Sequence, residues 1–185
     1  MEYKDAYQLV INECEEALSK VSTDDVERFI AMITNADKVF FVGVGRVLLE
    51  LEAFAKRLAH IGIETVIVGQ ITEPAFTEND VLIVGSGSGE SLVPVAIAKK
   101  AKQIGGKIVH IGSNKESSIK EITDLMLRIP VQTKLYLEDE IVSDQPMSSL
   151  FEQSLLLLGD TVAKMIVEEK KIELKSLWRC HANLE

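Results

Sequence analysis

The sequence predicts an α/β protein, a three-layer α/β/α sandwich around a five-stranded parallel sheet. Five short apolar segments alternate with segments of helical period. Each apolar segment is continuous rather than alternating, as in strands that are buried on both faces of a parallel sheet. Glycine directly follows the first three segments. This alternation is typical of doubly wound sheets with right-handed crossovers, and the expected strand order is 2-1-3-4-5.

The chain is expected to begin with two helices. The first spans about 3–20, and its apolar residues keep helical spacing; they are Val10, Cys14, Ala17, Leu18 and Val21. We expect Cys14 to be a small core residue. Ser22 and Thr23 are candidate N-caps of the second helix. Its apolar stripe consists of Val26, Phe29, Ile30 and Ile33.

The predicted strands and helices then alternate in chain order. The strands are 38–42, 65–68, 81–84, 107–111 and 125–129. Helices are expected after the first and third strands, and a short one over 117–122. Residues 130–146 contain two prolines and predict an irregular loop. A long helix follows, to about Lys170, and its segment 155–158 is four consecutive leucines. Such a helix is buried on more than one side, which suggests subunit contacts.

A length of 185 residues is about one domain's worth. We expect a single domain over 1–185. It would consist of a helical hairpin (1–36), an α/β core (37–170) and a C-terminal tail (171–185). The sequence contains no internal repeat.

The formal net charge of −9 makes nucleic acid an unexpected partner, because phosphate backbones repel an acidic surface. No run reaches the ~18 apolar residues of a membrane span, and no signal peptide is evident. We therefore expect a cytoplasmic protein. The two cysteines, Cys14 and Cys180, do not suggest a disulfide framework. The sequence contains no cluster of His or Cys residues that would predict a metal site, and no cofactor is expected.

The strongest functional signal is the loop after the third strand. Residues 85–91 read Gly-Ser-Gly-Ser-Gly-Glu-Ser. Glycines allow successive N–H groups to point inward as a nest, and the following helix contributes its positive dipole end. The expected phosphate-binding residues are Ser86, Gly87, Ser88, Gly89 and Ser91. A tight turn with helix-capping serines is the structural alternative, but it does not need three serines interleaved with three glycines.

A second glycine-rich loop, Gly43-Val-Gly45-Arg46, follows the first strand. In open parallel sheets, ligands bind beyond the carboxyl ends of the strands where the strand order reverses, between strands one and three here. Gly45 and Arg46 are therefore candidate ligand-binding residues, although Arg46 can also be a surface charge. A dinucleotide site is disfavoured, because the third glycine is missing and no acidic residue closes strand two.

These loops resemble the phosphosugar-binding loops of SIS (sugar isomerase) domains, a flavodoxin-like family. Four further segments are similar to one branch, the 6-phospho-3-hexuloisomerases: 57–60, 68–74, 145–153 and 181–185. The resemblance covers the whole chain, and its last two segments are quite specific. It implies interconversion of 3-hexulose 6-phosphate and fructose 6-phosphate in the ribulose monophosphate pathway of formaldehyde fixation. It also implies a homotetramer with active sites shared between subunits.

One departure from the family stands in the first loop. The family usually has serine and then glycine after the arginine, and that serine helps to hold the phosphate. This chain has Val47 and Leu48 instead. The loss of a donor is worth about 1–3 kcal/mol if its partner group stays buried. Phosphate binding would then be weaker, or the substrate would differ.

Isomerisation through an enediol needs a base near the carbon, donors near the oxygens and an anchored phosphate. Glu152, early in the long helix, is the expected base; the alternative is a capping or solvent-facing role. His60 ends the helix after the first loop and is a second catalytic candidate, or merely a helix cap. His181 in the tail is expected to reach a neighbouring subunit's site as an acid–base group, or to be packed and inert. His110, within the fourth strand, is expected to be structural.

Two other functions stay open at this point. One is isomerisation of another phosphosugar such as arabinose 5-phosphate, although relatives of that kind often carry appended domains and a histidine after strand two, where this chain has Phe76. The other is a catalytically silent sugar-phosphate sensor, which Val47 makes conceivable. Glu73, after strand two, is a weaker candidate carboxylate that would line the same pocket.

Overall fold

A computed structural model describes residues 1–184 of the chain. The predicted tail 171–185 therefore has its last residue outside the described part. The strands are β1 (Val39–Val42), β2 (Thr65–Ile67), β3 (Val81–Gly85), β4 (Lys107–Gly112) and β5 (Leu125–Arg128). The helices are α1 (Tyr3–Ser19), α2 (Thr23–Asn35), α3 (Arg46–His60), α4 (Leu92–Ile104) and α5 (Ser149–Glu169). The division into a single domain with these three parts stays a prediction.

The five strands form one sheet of order β2-β1-β3-β4-β5 with every pair parallel. This confirms the predicted topology. The sheet reverses its order beside β1, so the carboxyl ends of β1 and β3 lie next to each other. Both glycine-rich loops leave the sheet at this edge.

Alternate strand residues feed two separate cores, one on each face of the sheet. Phe41 and Ile83 pack with α1, α2, α3 and α5, whereas Phe40 and Leu82 pack with α4. Their near-complete burial on both faces explains why the strand segments are continuously apolar. The result is the predicted three-layer sandwich.

The N-terminal helices form as expected. The Ser22 hydroxyl accepts a hydrogen bond of 3.2 Å from the Asp25 N–H, which caps α2. Cys14 is buried, as predicted. Both helices contact α5, and α2 also contacts β5, so the hairpin covers one face of the sheet.

Two short segments differ from the sequence-based expectation. The helix predicted over 117–122 is only a 3₁₀ turn, Lys120–Ile122. A 3₁₀ helix that the sequence did not predict, Leu174–Cys180, occurs within the tail and contacts α3. Residues 130–146 are irregular, as expected, except for a bridge between Val131 and Ile141.

Candidate active site

A cavity of about 150 Å³ lies at the carboxyl ends of β1 and β3. The serine loop after β3 forms one wall, and the start of α5 forms another. Ser86 and Ser88 are nearly fully buried within it, 3% and 6% exposed. The lining residues are Val44, Val47, Gly85, Ser86, Gly87, Ser88, Ser91, Thr133, Lys134, Ser148, Phe151 and Glu152.

The backbone amides of the serine loop divide into two groups. Within residues 1–184, the N–H groups of Gly87, Ser88 and Ser91 have no hydrogen-bond acceptor. The N–H of Gly89 is used inside the loop by the Ser86 carbonyl, and the N–H of Glu90 by the Ser88 hydroxyl at 3.3 Å. Two amides of the predicted nest thus serve the turn itself and three have no acceptor, while anion binding by the nest stays a prediction.

The helix that follows the loop begins without a side-chain cap. Ser91 occupies the N-cap position of α4, but its hydroxyl makes no capping bond. It lies 3.1 Å from the Ser86 hydroxyl instead, at the cavity. The first turn of a helix carries unpaired N–H groups and a partial positive charge. An anion in this cavity can satisfy both.

The shape of the loop is held from behind by β4 and the turn after it. The His110 Nε2–H donates to the Ser86 carbonyl at 2.9 Å, since a carbonyl can only accept. The Asn114 side chain donates to the Ser88 carbonyl at 3.1 Å. Burial lowers the pKa of His110, which keeps the ring neutral. The structural role predicted for His110 agrees with these contacts.

Gly89 is required by both conformation and space. Its φ is +68°, in the region that favours glycine, and a Cβ there would collide with Ser117. Gly87 also has little room for a side chain, because a Cβ there would lie 3.1 Å from the Thr133 methyl group. Glycine is therefore required at 89, whereas a side chain at 87 would be tight against Thr133.

Glu152 is 8% exposed and lines the cavity from the first turn of α5. Its carboxylate accepts a hydrogen bond from the Nε–H of Arg46, with which it forms an ion pair. The predicted base and the predicted cation are thus brought together. Arg46 is largely exposed and is not among the lining residues, so it holds Glu152 from outside the cavity.

The residues of the first loop that line the cavity are not the ones that the sequence predicted. Gly45, with φ +61°, precedes α3 and does not line the cavity. Val47 does line it, and its Cγ1 lies close to Gly85, where a Cβ would be 2.8 Å away. The position that departs from the family pattern therefore contributes an apolar wall to the cavity.

His60 and His181 lie together but away from this cavity. Their rings stack with centroids 5.3 Å apart, and both line a separate groove between α3, α5 and the tail. His60 ends the helix that Arg46 begins, about 21 Å along its axis. Partial burial, followed by the charges of Lys56 and Arg57, lowers the pKa of His60. Within one chain the structure does not unite these histidines with Glu152, so a catalytic role needs another subunit.

The loop 130–146 supplies two lining residues that the sequence did not single out, Thr133 and Lys134. No short-range signal identifies them, because they reach the cavity only through the path of an irregular loop. Glu73, in contrast, bonds the Gly69 N–H of its own turn and is not among the lining residues. The expectation that it lines the pocket was wrong.

Metal-binding clusters and membrane-spanning helices are both absent from the described part of the chain. No group of three or more His, Cys, Asp or Glu residues within 1–184 could hold a metal ion. None of the helices described is long and apolar enough to cross a membrane.

Comparison with known proteins decides the family. The SIS domain model matches residues 32–159, which include both glycine-rich loops and the first half of α5. The chain belongs to the SIS domain family. The parallel sheet of this SIS domain and its strand order are thus confirmed, whereas phosphate binding by the serine loop stays a prediction.

Several relatives of this SIS domain are similar over nearly their full length. It is 36% identical to a 3-hexulose-6-phosphate isomerase of Bacillus subtilis, covering 95% of each chain. It is 34% identical to one from Mycobacterium gastri, covering 96% of this chain and 88% of the other. A hypothetical protein of Methanococcus jannaschii, whose crystal structure was described as inferring the same function, is 30% identical. The TM-score is 0.84, with 98% and 99% of the two chains covered.

Proposed function

We propose that this SIS domain isomerises 3-hexulose 6-phosphate and fructose 6-phosphate. The observation that carries the proposal is the cavity itself. An uncapped helix, three free loop amides and buried hydroxyls face a carboxylate across a space of about 150 Å³. A phosphoryl group can be anchored on one side while a carbon acid is presented to Glu152 on the other. The names of the relatives support the choice of sugar.

In the proposed reaction, Glu152 removes the proton from C2 of the 3-ketose while O3 gains a proton, and the C2–C3 enediol forms. The carboxylic acid then returns the proton to C3 while O2 loses its hydroxyl proton. The carbonyl thereby moves from C3 to C2 without oxidation or reduction. Arg46 keeps the Glu152 carboxylate in place and balances its charge through their ion pair. The anchored phosphate makes the proton transfer effectively intramolecular.

The proposal is tested with 3-hexulose 6-phosphate made in situ from formaldehyde and ribulose 5-phosphate by a synthase, with fructose 6-phosphate measured as product. Turnover is the expected result. Tight binding of fructose 6-phosphate without turnover would instead identify a sensor, which the apolar Val47 wall favours as the second candidate. Conversion of arabinose 5-phosphate alone would redirect the substrate.

Glu152→Gln removes the base but keeps the shape and a hydrogen-bond acceptor for Arg46. We expect the turnover rate to fall at least about 10²-fold, while the Kd for fructose 6-phosphate stays within about threefold. Glu168→Gln, on the exposed end of the same helix, is the matched control and should retain activity. Activity of Glu152→Gln within tenfold of the parent would show that another group is the base.

The remaining features of the proposal concern the assembly. We propose a homotetramer in the cytoplasm whose active sites are shared between subunits, acting without a cofactor. The groove that contains His60 and His181 is remote from the chain's own Glu152, which supports sharing. Leu157, 41% exposed on α5, and Ile11, 54% exposed on α1, border an apolar groove and support subunit contacts there.

A further inference from the structure

Lys134 is the one cationic side chain among the described residues that line the cavity. Its own side chain is exposed and, within residues 1–184, has neither a hydrogen bond nor an ion pair. Lys115 shows the contrast, because its ammonium pairs with Asp139 at 2.8 Å. Lys134 is therefore available to a ligand, whereas Lys115 is already paired.

The backbone of Lys134 is fixed even though its side chain is not. Next to it, buried Thr133 donates from its N–H and its hydroxyl to the Glu140 carboxylate, at 3.1 and 3.0 Å. The same carboxylate accepts the N–H of Leu137 at 3.0 Å. Glu140 is only 8% exposed, and a carboxylate so placed acts as an internal brace for an irregular loop.

The braced loop is also packed against the serine loop. The Thr133 methyl group is close enough to Gly87 that a Cβ there would lie 3.1 Å away. The backbone of Lys134 is thus held in place beside the serine loop, whose free N–H groups line the cavity. A lysine side chain has a long, flexible stem and a compact charge, so it can follow an anion into the cavity.

The charges in the cavity call for such a cation. The other charged lining residue is Glu152, and its partner Arg46 lies outside the lining. A phosphoryl dianion would meet that carboxylate, the partial charge of about +0.5 at the start of α4, and whatever cation the site adds. In a protein of net charge −9, a lysine that is free to move onto the dianion offsets this repulsion.

We propose that Lys134 binds the phosphoryl group of the substrate, and that Glu140 positions it by bracing the loop. The inference rests on the proposed function, since it assigns a residue to the same site. Its ligand class is a phosphate monoester, with inorganic phosphate as the minimal form. Lys134 supplies a donor to a cavity in which Val47 offers none.

The test compares Lys134→Met, Lys134→Arg and the control Lys99→Met, an exposed lysine on α4 without an ion pair in the described residues. For Lys134→Met we expect KM to rise about tenfold, with kcat changed less than about threefold. The inhibition constant of inorganic phosphate should rise by a similar factor. Arginine at 134 should restore most of the affinity, and Lys99→Met should leave both constants unchanged.

The brace is tested with two changes at Glu140. Glu140→Gln can still accept both N–H groups on its oxygen and donate to the Thr133 hydroxyl, so binding should stay near the parent value. Glu140→Ala removes all three bonds and should weaken phosphate binding severalfold without lowering kcat to the same extent. Equal binding by Glu140→Ala and the parent, with both folded by circular dichroism, would refute the positioning role.

Three outcomes would overturn the assignment of Lys134. An unchanged KM for Lys134→Met, with an active parent enzyme, would refute it while leaving the proposed function intact. A raised KM with an unchanged phosphate inhibition constant would place Lys134 on the sugar instead. An equal effect of Glu90→Gln would show that Lys134 serves Glu90, whose pKa is lowered chiefly by hydrogen bonds from Ser118 and further by the charge of Lys134. Absence of turnover in the parent would refute the proposed function, and phosphate binding alone would then decide the role of Lys134.

Discussion

The serines of the serine loop are chemically alike but have different roles in the structure. The Ser86 and Ser88 hydroxyls each accept a backbone N–H of the loop, from Gly89 and Glu90. The Ser91 hydroxyl makes no bond to the backbone and meets only Ser86. The loop therefore contains hydroxyls that maintain its shape and one that is available mainly to a ligand.

This difference predicts different effects of two serine substitutions on stability. Ser91→Ala should raise the KM for the phosphosugar severalfold and leave the free energy of unfolding within about 0.5 kcal/mol. Ser88→Ala should raise KM and also cost about 1 kcal/mol of stability, because the Glu90 N–H loses its acceptor. Urea unfolding and steady-state kinetics measure the two quantities. Equal stability losses in both variants would contradict the division.

Val47 is a second residue whose effect can be separated from folding. Val47→Ser places a hydroxyl on the apolar wall of the cavity, where it can donate to an anion. We expect the Kd for fructose 6-phosphate to fall about three- to tenfold. The side chain is half-buried beside the core, so the free energy of unfolding should fall by about 1 kcal/mol. Calorimetry of binding and thermal unfolding check both effects; an unchanged Kd would mean that the valine is outside reach of the phosphate.

At the scale of elements, the sequence was informative wherever the signal is local. Continuous apolar runs located all five strands to within about a residue or two, and the glycines from the end of β3 onward located the serine loop. The Arg46–Glu152 pair joins α3 to α5 across more than a hundred residues, and no local pattern encodes that pairing. Lys134 was missed for the same reason, because an irregular loop follows side-chain contacts such as those of Glu140 rather than a period.

The packing of α3 on α5 connects the cavity to the core. Gly159, in the middle of α5, lies directly over the Phe54 ring of α3, where a Cβ would be 2.7 Å from the Phe54 Cγ. The Arg46–Glu152 pair joins the N-terminal ends of the same two helices. The absence of a side chain at 159 thus permits the close approach of the two helices that also carry this ion pair.

Gly159→Ala should force these helices apart. A methyl group gains helix propensity of up to about 1 kcal/mol but overpacks a site that has no space. We expect a net loss of about 1–2 kcal/mol in the free energy of unfolding and a lower kcat through the displaced Glu152. Ala163→Gly, one turn further along and also buried, is a control for buried alanine–glycine changes in this helix. A variant Gly159→Ala that is more stable than the parent would show that Phe54 moves without cost.

At the scale of the whole molecule, the proposed sharing of active sites concerns which subunit supplies each catalytic side chain. Each chain carries Glu152 at one end of α3 and the His60–His181 stack at the other. The tail with Trp178 and His181 lies on the surface of α3 and α5, where an adjacent subunit can meet it. If active sites are shared as proposed, a single chain contributes Glu152 to one site and His181 to another.

Mixing two inactive variants tests whether the half-sites meet between subunits. Glu152→Gln lacks the proposed base, and His181→Asn lacks the tail imidazole. If sites are shared, subunit exchange pairs an intact Glu152 with an intact His181 in about a quarter of the sites, and that fraction of parent activity should return. The control mixes Glu152→Gln with the double variant carrying both changes, in which no intact pair can form. Recovery absent from both mixtures, with subunit exchange shown by mass spectrometry, would mean that His181 takes no part in a neighbour's chemistry.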